Sequence, residues 1–171
     1  MSTAGLSRVP EPYRGLIKDL LDAIKKVLGD SLISVVVYGS VARGEARADS
    51  DIDILVIAEN LPASRVGRVK LFEIAEDMVE HHVAGLYDRG VYVCFSPIIL
   101  TPDEVKRVPP ILLDMIEDAI VVYDPKGFFS RLLDKVATRL KELGAERVWL
   151  GRKWYWRLKK NYKPGEVILI E

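Results

Sequence analysis

The chain has a single cysteine, Cys94, two histidines, two asparagines and no glutamine. One cysteine excludes an internal disulfide framework, and no cysteine–histidine spacing here builds a structural zinc site. A reducing cytoplasm is the compartment this usage predicts. Charge of one sign is also missing: 25 Lys plus Arg face 25 Asp plus Glu, so no global basic field exists to hold nucleic acid by counterion release. A nucleic-acid partner would have to be held locally. No apolar run approaches the roughly 18 residues of a membrane span, and the opening MSTAGLSRVPEP lacks the basic and apolar regions of a secretory leader. Neither secretion nor a membrane partner is expected. The missing glutamine, beside 29% charged residues, is a bias of proteins from heat-loving organisms.

What is present is enough for one core. A length of 171 residues with 49% hydrophobic composition favours a single domain with at most a short appendage. Leu16, Ile17, Leu20, Leu21, Ile24, Val27 and Leu28 recur at helical spacing, with Gly29 placed to end the helix. LISVVVY, residues 32–38, and DIDILVIA, residues 51–58, are short β-branched runs that predict strands buried on both faces. A long helix is expected over 63–86, then a strand over 91–100 in which Pro97 demands an edge position or a bulge. A helical turn at 101–104, a helix over 109–118, a strand over 119–123 and a helix over 125–143 follow. The pattern is α/β or α+β: a small mixed β-sheet with flanking helices.

From Glu146 onward aromatic and basic residues interleave: Trp149, Trp154, Tyr155, Trp156 and Tyr162 among Arg147, Arg152, Lys153, Arg157, Lys159, Lys160 and Lys163. A period of two with Gly151 as the turn predicts a strand or hairpin, and Pro164-Gly165 a further turn before a closing strand EVILIE. The expected organisation is a flexible tail over 1–12, a main domain over 13–145, and an extension over 146–171 packed on that domain. The aromatic–basic stretch covers a core edge or forms an RNA-binding or homo-oligomer surface, the covering role being favoured.

The segment richest in chemistry is Tyr38-Gly39-Ser40-Val41-Ala42-Arg43-Gly44-Glu45, followed after a polar loop by Ser50-Asp51-Ile52-Asp53, lying between the first two strands. Glycine directly after a strand lets backbone approach a ligand closely, and a helix starting near Ser40 would aim free amides at an anion such as triphosphate. Asp51 and Asp53 stand two residues apart on a strand, so their carboxylates project from one face, roughly 7 Å apart at the backbone. Such a pair grips one divalent cation, or two bridged ones, and magnesium suits oxygen ligands.

GSVARGEARADSDIDILV resembles the signature of the minimal nucleotidyltransferases in the DNA polymerase β superfamily. The resemblance implies the palm-like nucleotidyltransferase fold, phosphate contacts for Gly39 and Ser40, a place near the nucleotide for Arg43, and Mg2+ ligation by the catalytic pair Asp51 and Asp53. It implies transfer of a nucleoside monophosphate from an NTP, ATP being preferred, to a hydroxyl acceptor. Acceptors in that family range from small molecules to a protein tyrosine, and a helical HEPN-type protein is the partner expected of an antitoxin member. One departure stands out. Active members supply a third carboxylate from the strand after the long helix, yet residues 91–100 contain no Asp or Glu. Asp88, Asp103 or Glu104 would have to replace it, or the chain is a catalytically impaired module that binds a nucleotide or partner. Against these readings, Arg43 can simply pair with Glu45 or Asp49, Cys94 reads as a small core residue, and His81 and His82 point to different helix faces.

Overall fold

A computed structural model describes residues 5–151, 153–161, 163, 166–168 and 170. Helix α1 (Tyr13–Leu28) buries the stripe Leu16, Ile17, Leu20, Leu21 and Ile24 as its spacing predicts. Strands β1 (Leu32–Tyr38) and β2 (Ile52–Ala58) are joined through the short helix α2 (Gly39–Ala42) and a polar loop. Helices α3 (Arg65–Asp77) and α4 (Glu80–Tyr87) lead to β3 (Phe95–Leu100). Helices α5 (Pro102–Lys106) and α6 (Ile111–Asp118), strand β4 (Ile120–Tyr123) and helix α7 (Phe128–Leu143) complete the main body. A separate hairpin, β5 (Glu146–Leu150) and β6 (Lys153–Arg157), turns at Gly151 with φ 61°.

The sheet runs in the order β3-β2-β1-β4, with β1 antiparallel to β2 and β4, and β2 parallel to β3. Because side chains alternate across a strand, β1 and β2 feed two cores. Val35, Val37, Ile52, Ile54 and Val56 pack with α1 and α3, whereas Val36, Leu55 and Ile57 pack with Val105, Leu112, Met115 and Phe129. Burial on both faces explains why these strands are almost uninterrupted in apolar residues. Pro97 sits on β3, an edge strand, where its missing N–H costs no ladder bond on the outer side.

Five expectations are corrected. The helix expected over 63–86 is two helices: the first ends at Asp77, and Val79 leaves α-helical geometry at φ −111° and ψ 7°. Phe72, Ala75, Val79 and Leu86 stay buried across the break, so the apolar spacing carries no trace of it. The strand expected from 91 begins at Phe95. Residues 92–94 still run beside the loop into β2, Tyr92 N–H donating to Ala48 O (2.7 Å) and Ile52 N–H to Cys94 O (2.8 Å). Cys94 is exposed, because Val91, Val93 and Phe95 take the core side of this alternating segment. Within the stretch expected to be a flexible tail, Leu6 and Val9 enter the core, and Gly5 lies so tightly on Val121 O that a Cβ there would stand 1.7 Å from it. Residues 1–4 lie outside the described residues. In the region of the closing strand, residues 166–168 and 170 carry no strand assignment, while 164, 165, 169 and 171 lie outside the described residues.

One polar knot ties the two layers. Ser34, fully buried on β1, donates to Asp124 Oδ1 (2.8 Å), and Asp124 also accepts from Phe129 N–H (3.3 Å), Ser130 N–H (2.9 Å) and Ser130 Oγ (2.8 Å) at the start of α7. Burial pushes the Asp124 carboxyl up, but these hydrogen bonds outweigh it and hold it below its ordinary value. Its contribution is therefore fully present above the unfolded carboxylate range and is lost as pH falls through the native value. Asp124→Ala is expected to cost about 2 kcal/mol at neutral pH, and the difference from wild type should shrink towards pH 3 in urea denaturation.

Candidate active site

The site assembles where β1 ends and β2 begins. Tyr38, the last residue of β1, pairs in register with Asp53, and on the other side of β2 Asp53 pairs with Ser96 of β3. Gly39 turns the chain at φ 73° beneath the Asp53 carboxylate. A Cβ built on Gly39 would stand 2.0 Å from Asp53 Oδ2. Only glycine satisfies both the left-handed backbone and this closeness. Ser40 follows at the first turn of α2, whose leading amides have no intrahelical acceptor.

Asp51 is exposed and Asp53 half-buried, and by alternation both carboxylates face the same way. Burial pushes the Asp53 carboxyl up and Asp51 adds to this, while Arg43 and a hydrogen bond donated by the Ser96 hydroxyl oppose it. The balance leaves Asp53 raised. The two donors are hard oxygens on one face beside a glycine cradle, which fits a magnesium ion. Among the described residues no third histidine, cysteine or carboxylate completes a cluster with them.

The candidates for a replacement ligand are otherwise engaged or exposed. Glu104 accepts from Arg68 Nη1 (2.6 Å) and Nη2 (3.0 Å) and from Thr101 N–H (2.8 Å); Arg68 and then Thr101 hold its carboxyl down at about 2. Asp103 pairs with Lys106 (3.1 Å), and Asp88 lies exposed past α4. The place opposite Asp53 on the neighbouring strand belongs to Ser96.

The model of the family described as a nucleotidyltransferase domain matches residues 17–123, which span α1 to β4 and include every residue named above as a candidate for the site. The chain belongs to this nucleotidyltransferase family. A protein of Methanocaldococcus jannaschii, provisionally named a protein adenylyltransferase, is 32% identical over 130 residues, covering 75% of this chain and 83% of its own. A second protein of that organism with the same provisional name is 33% identical over 60 residues, 35% of this chain and 60% of its own. Among solved structures the chain is similar to one described as a toxin-antitoxin with AMP-PNP, with a TM-score of 0.47 at 13% identity, covering 74% of this chain and 88% of that one. No helix among the described residues is long and apolar enough to cross a membrane.

Residues beyond the motif also shape the electrostatics of this nucleotidyltransferase. Arg43 Nε donates to Glu45 Oε2 (2.9 Å), so its surface pairing is realised, yet the same guanidinium lowers both Asp53 and Asp114. Asp114, on α6, is raised by burial against the pull of Arg147 and Arg43. The Tyr38 phenol is pushed up to about 12 by burial, then by Asp53 and Asp114. Sequence reasoning missed Ser96 and Asp114, and gave Tyr38, at the head of the motif, no role. Ser96 becomes visible only through the parallel β2–β3 register, and Asp114 only once α6 is packed on β1. The hairpin joins through α6 as well: Arg147, 8% exposed, bridges Glu117 (3.0 Å) and Asp118 (3.0 Å), and Trp156 Nε1 donates to Leu113 O (3.1 Å).

Two predictions follow from this geometry. Gly39→Ala should destabilise by about 2 kcal/mol through its backbone and, by displacing Asp53, lower nucleotidyl transfer on the order of 100-fold; thermal melts and a pyrophosphate-release assay read the two effects. Because the native Asp53 pKa is raised, its ionisation costs stability above the unfolded carboxylate range, and the cost is relieved as pH falls into the native range. Asp53→Asn should therefore raise Tm at neutral pH without divalent cation, with a gain that fades on acidification.

Proposed function

We propose that this nucleotidyltransferase moves AMP from ATP to a hydroxyl of a protein acceptor, with Asp51 and Asp53 holding Mg2+ and with Gly39, Ser40 and Arg43 holding the triphosphate. The approach of Gly39 to the Asp53 carboxylate carries this reading, since it sets a carboxylate pair directly against a turn with free amides. Bound there, the cation would neutralise the phosphates and the leaving pyrophosphate. The chain's own part is positioning. The backbone at Gly39 and Ser40 admits the phosphates without side-chain obstruction, and Arg43, anchored by Glu45, presents positive charge on the same side. The acceptor oxygen bonds to the α-phosphorus as the bond to pyrophosphate breaks, and the hydroxyl proton leaves to solvent.

Adenylyl as the group and protein as the acceptor are supported by the provisional name of the 32% identical relative. The resemblance to minimal nucleotidyltransferases puts a tyrosine of a HEPN-type partner first among acceptors to try. A second reading, an impaired module that binds nucleotide or partner without turnover, is favoured by Ser96, which stands opposite Asp53 where a third carboxylate would strengthen the metal site.

Calorimetric titration of ATP with Mg2+ into wild type and into Asp51→Asn/Asp53→Asn, followed by mass spectrometry of acceptor proteins, separates these readings. Transfer predicts magnesium-dependent binding that weakens at least about 100-fold in the double variant, with pyrophosphate release and an AMP adduct. Nucleotide binding without release would select the impaired module, and no nucleotide binding by wild type would overturn transfer and leave a partner-binding scaffold.

A further inference from the structure

We infer that the acceptor enters over the β3 edge of the site, across an aromatic rim formed by Tyr87 and Tyr92, and that this rim selects a cationic peptide segment. The inference rests on the transfer reading above. In the sheet order, Asp53 on β2 stands between Gly39-Ser40 at the end of β1 and Ser96 on β3. With the phosphates on the β1 side, an in-line displacement brings the attacking hydroxyl from the opposite side, which is β3.

That side is built as a ramp. Val91, Val93 and Phe95 face the core, so Tyr92, Cys94 and Ser96 share the other side of the segment; Tyr92 and Cys94 are exposed, and Ser96 reaches the Asp53 carboxylate. Tyr92 N–H is held by Ala48 O and Cys94 O by Ile52 N–H, which fixes the ramp against the loop that carries Asp51. At its outer end the Tyr92 and Tyr87 rings meet edge to face at 5.1 Å between centroids, although Tyr87 is 62% and Tyr92 52% exposed. Two large rings left in water at the outer end of this ramp offer a face for stacking a peptide side chain or an arginine.

Charge chooses the class of occupant. From Leu71 to Asp88 the chain has Glu73, Glu76, Asp77, Glu80 and Asp88 and neither lysine nor arginine. Among the described residues no ion pair engages any of the five. Glu76 also reaches the ramp: burial first, then Asp51 and Glu76, push the Cys94 thiol up. A cationic segment laid along Tyr87 and Tyr92 would answer this unpaired charge, and an acidic one would be repelled.

The test uses two fluorescein-labelled synthetic peptides with a central tyrosine, one flanked by arginine and lysine, the other by glutamate. Anisotropy is read on the full chain with Mg2+ and a non-hydrolysable ATP analogue. The basic peptide should bind at least about tenfold tighter, and Tyr87→Ala/Tyr92→Ala and Glu73→Lys/Asp77→Lys should each remove most of that preference. Alkylating Cys94, the single cysteine, with a bulky maleimide should do the same without any substitution. Equal affinity for the two peptides, or a preference unmoved by both variants and by the alkylation, overturns the inference. ATP-analogue binding is measured in parallel: its absence from wild type would count against the transfer reading, whereas peptide loss beside intact nucleotide binding places the defect on the acceptor side.

Discussion

The contact between Gly39 and the Asp53 carboxylate is the constraint on which the site depends. A strand ending in Tyr38 must turn at once, in the left-handed backbone region, to let the neighbouring strand bring a carboxylate down where a Cβ would be. Every other feature is arranged around that closeness. The β1–β2 register sets Asp53 beside Tyr38, the first turn of α2 opens next to it, and Val41, buried behind the turn, ties the loop to the core. A rigid sheet, packed on both faces, is what makes such a tolerance tenable.

The electrostatic arrangement places cost in the protein that a ligand can remove. Asp53 is raised by burial and by Asp51, Asp114 is raised by burial, and Arg43 partly offsets both. The Asp124 carboxylate follows the opposite course, because donors from β1 and α7 converge on its oxygen pair and hold it ionised. The comparison distinguishes a structural acid, satisfied within the fold, from an acid that burial and a like charge leave raised, the signature of a candidate functional group. It also explains why a family member with Ser96 on β3 keeps the geometry of the pair: the serine hydroxyl hydrogen-bonds Asp53 and stabilises its charged form, which an additional carboxylate would disfavour without cation.

Much of this was legible in the sequence because it depends on short-range pattern. The stripe of α1, the two β-branched strands, the edge role of Pro97 and the Gly151 hairpin each follow from local spacing or turn chemistry, and the Gly39 to Asp53 segment carries its chemistry within fifteen consecutive residues. What was missed depends on long-range placement. The break at Val79 leaves no mark, since the residue remains buried on either side of the irregularity. Leu6 and Val9 look like a tail until β4 offers them a surface, and Cys94 looks like core until the phase of the segment is set by Val91, Val93 and Phe95. Ser96 and Asp114 carry no motif of their own; register and helix packing bring them to the site.

The central claim is that Asp51 and Asp53, seated against Gly39, form one divalent-cation and phosphate site. Manganese, read by electron paramagnetic resonance as a stand-in for magnesium, tests this most directly: free Mn2+ is titrated against wild type and Gly39→Ala, each with and without ATP. The account predicts saturable binding by wild type that ATP strengthens, and a loss of that ATP-dependent gain in Gly39→Ala even though both carboxylates remain. Manganese binding that is indifferent to ATP, or unchanged by the alanine, would contradict it.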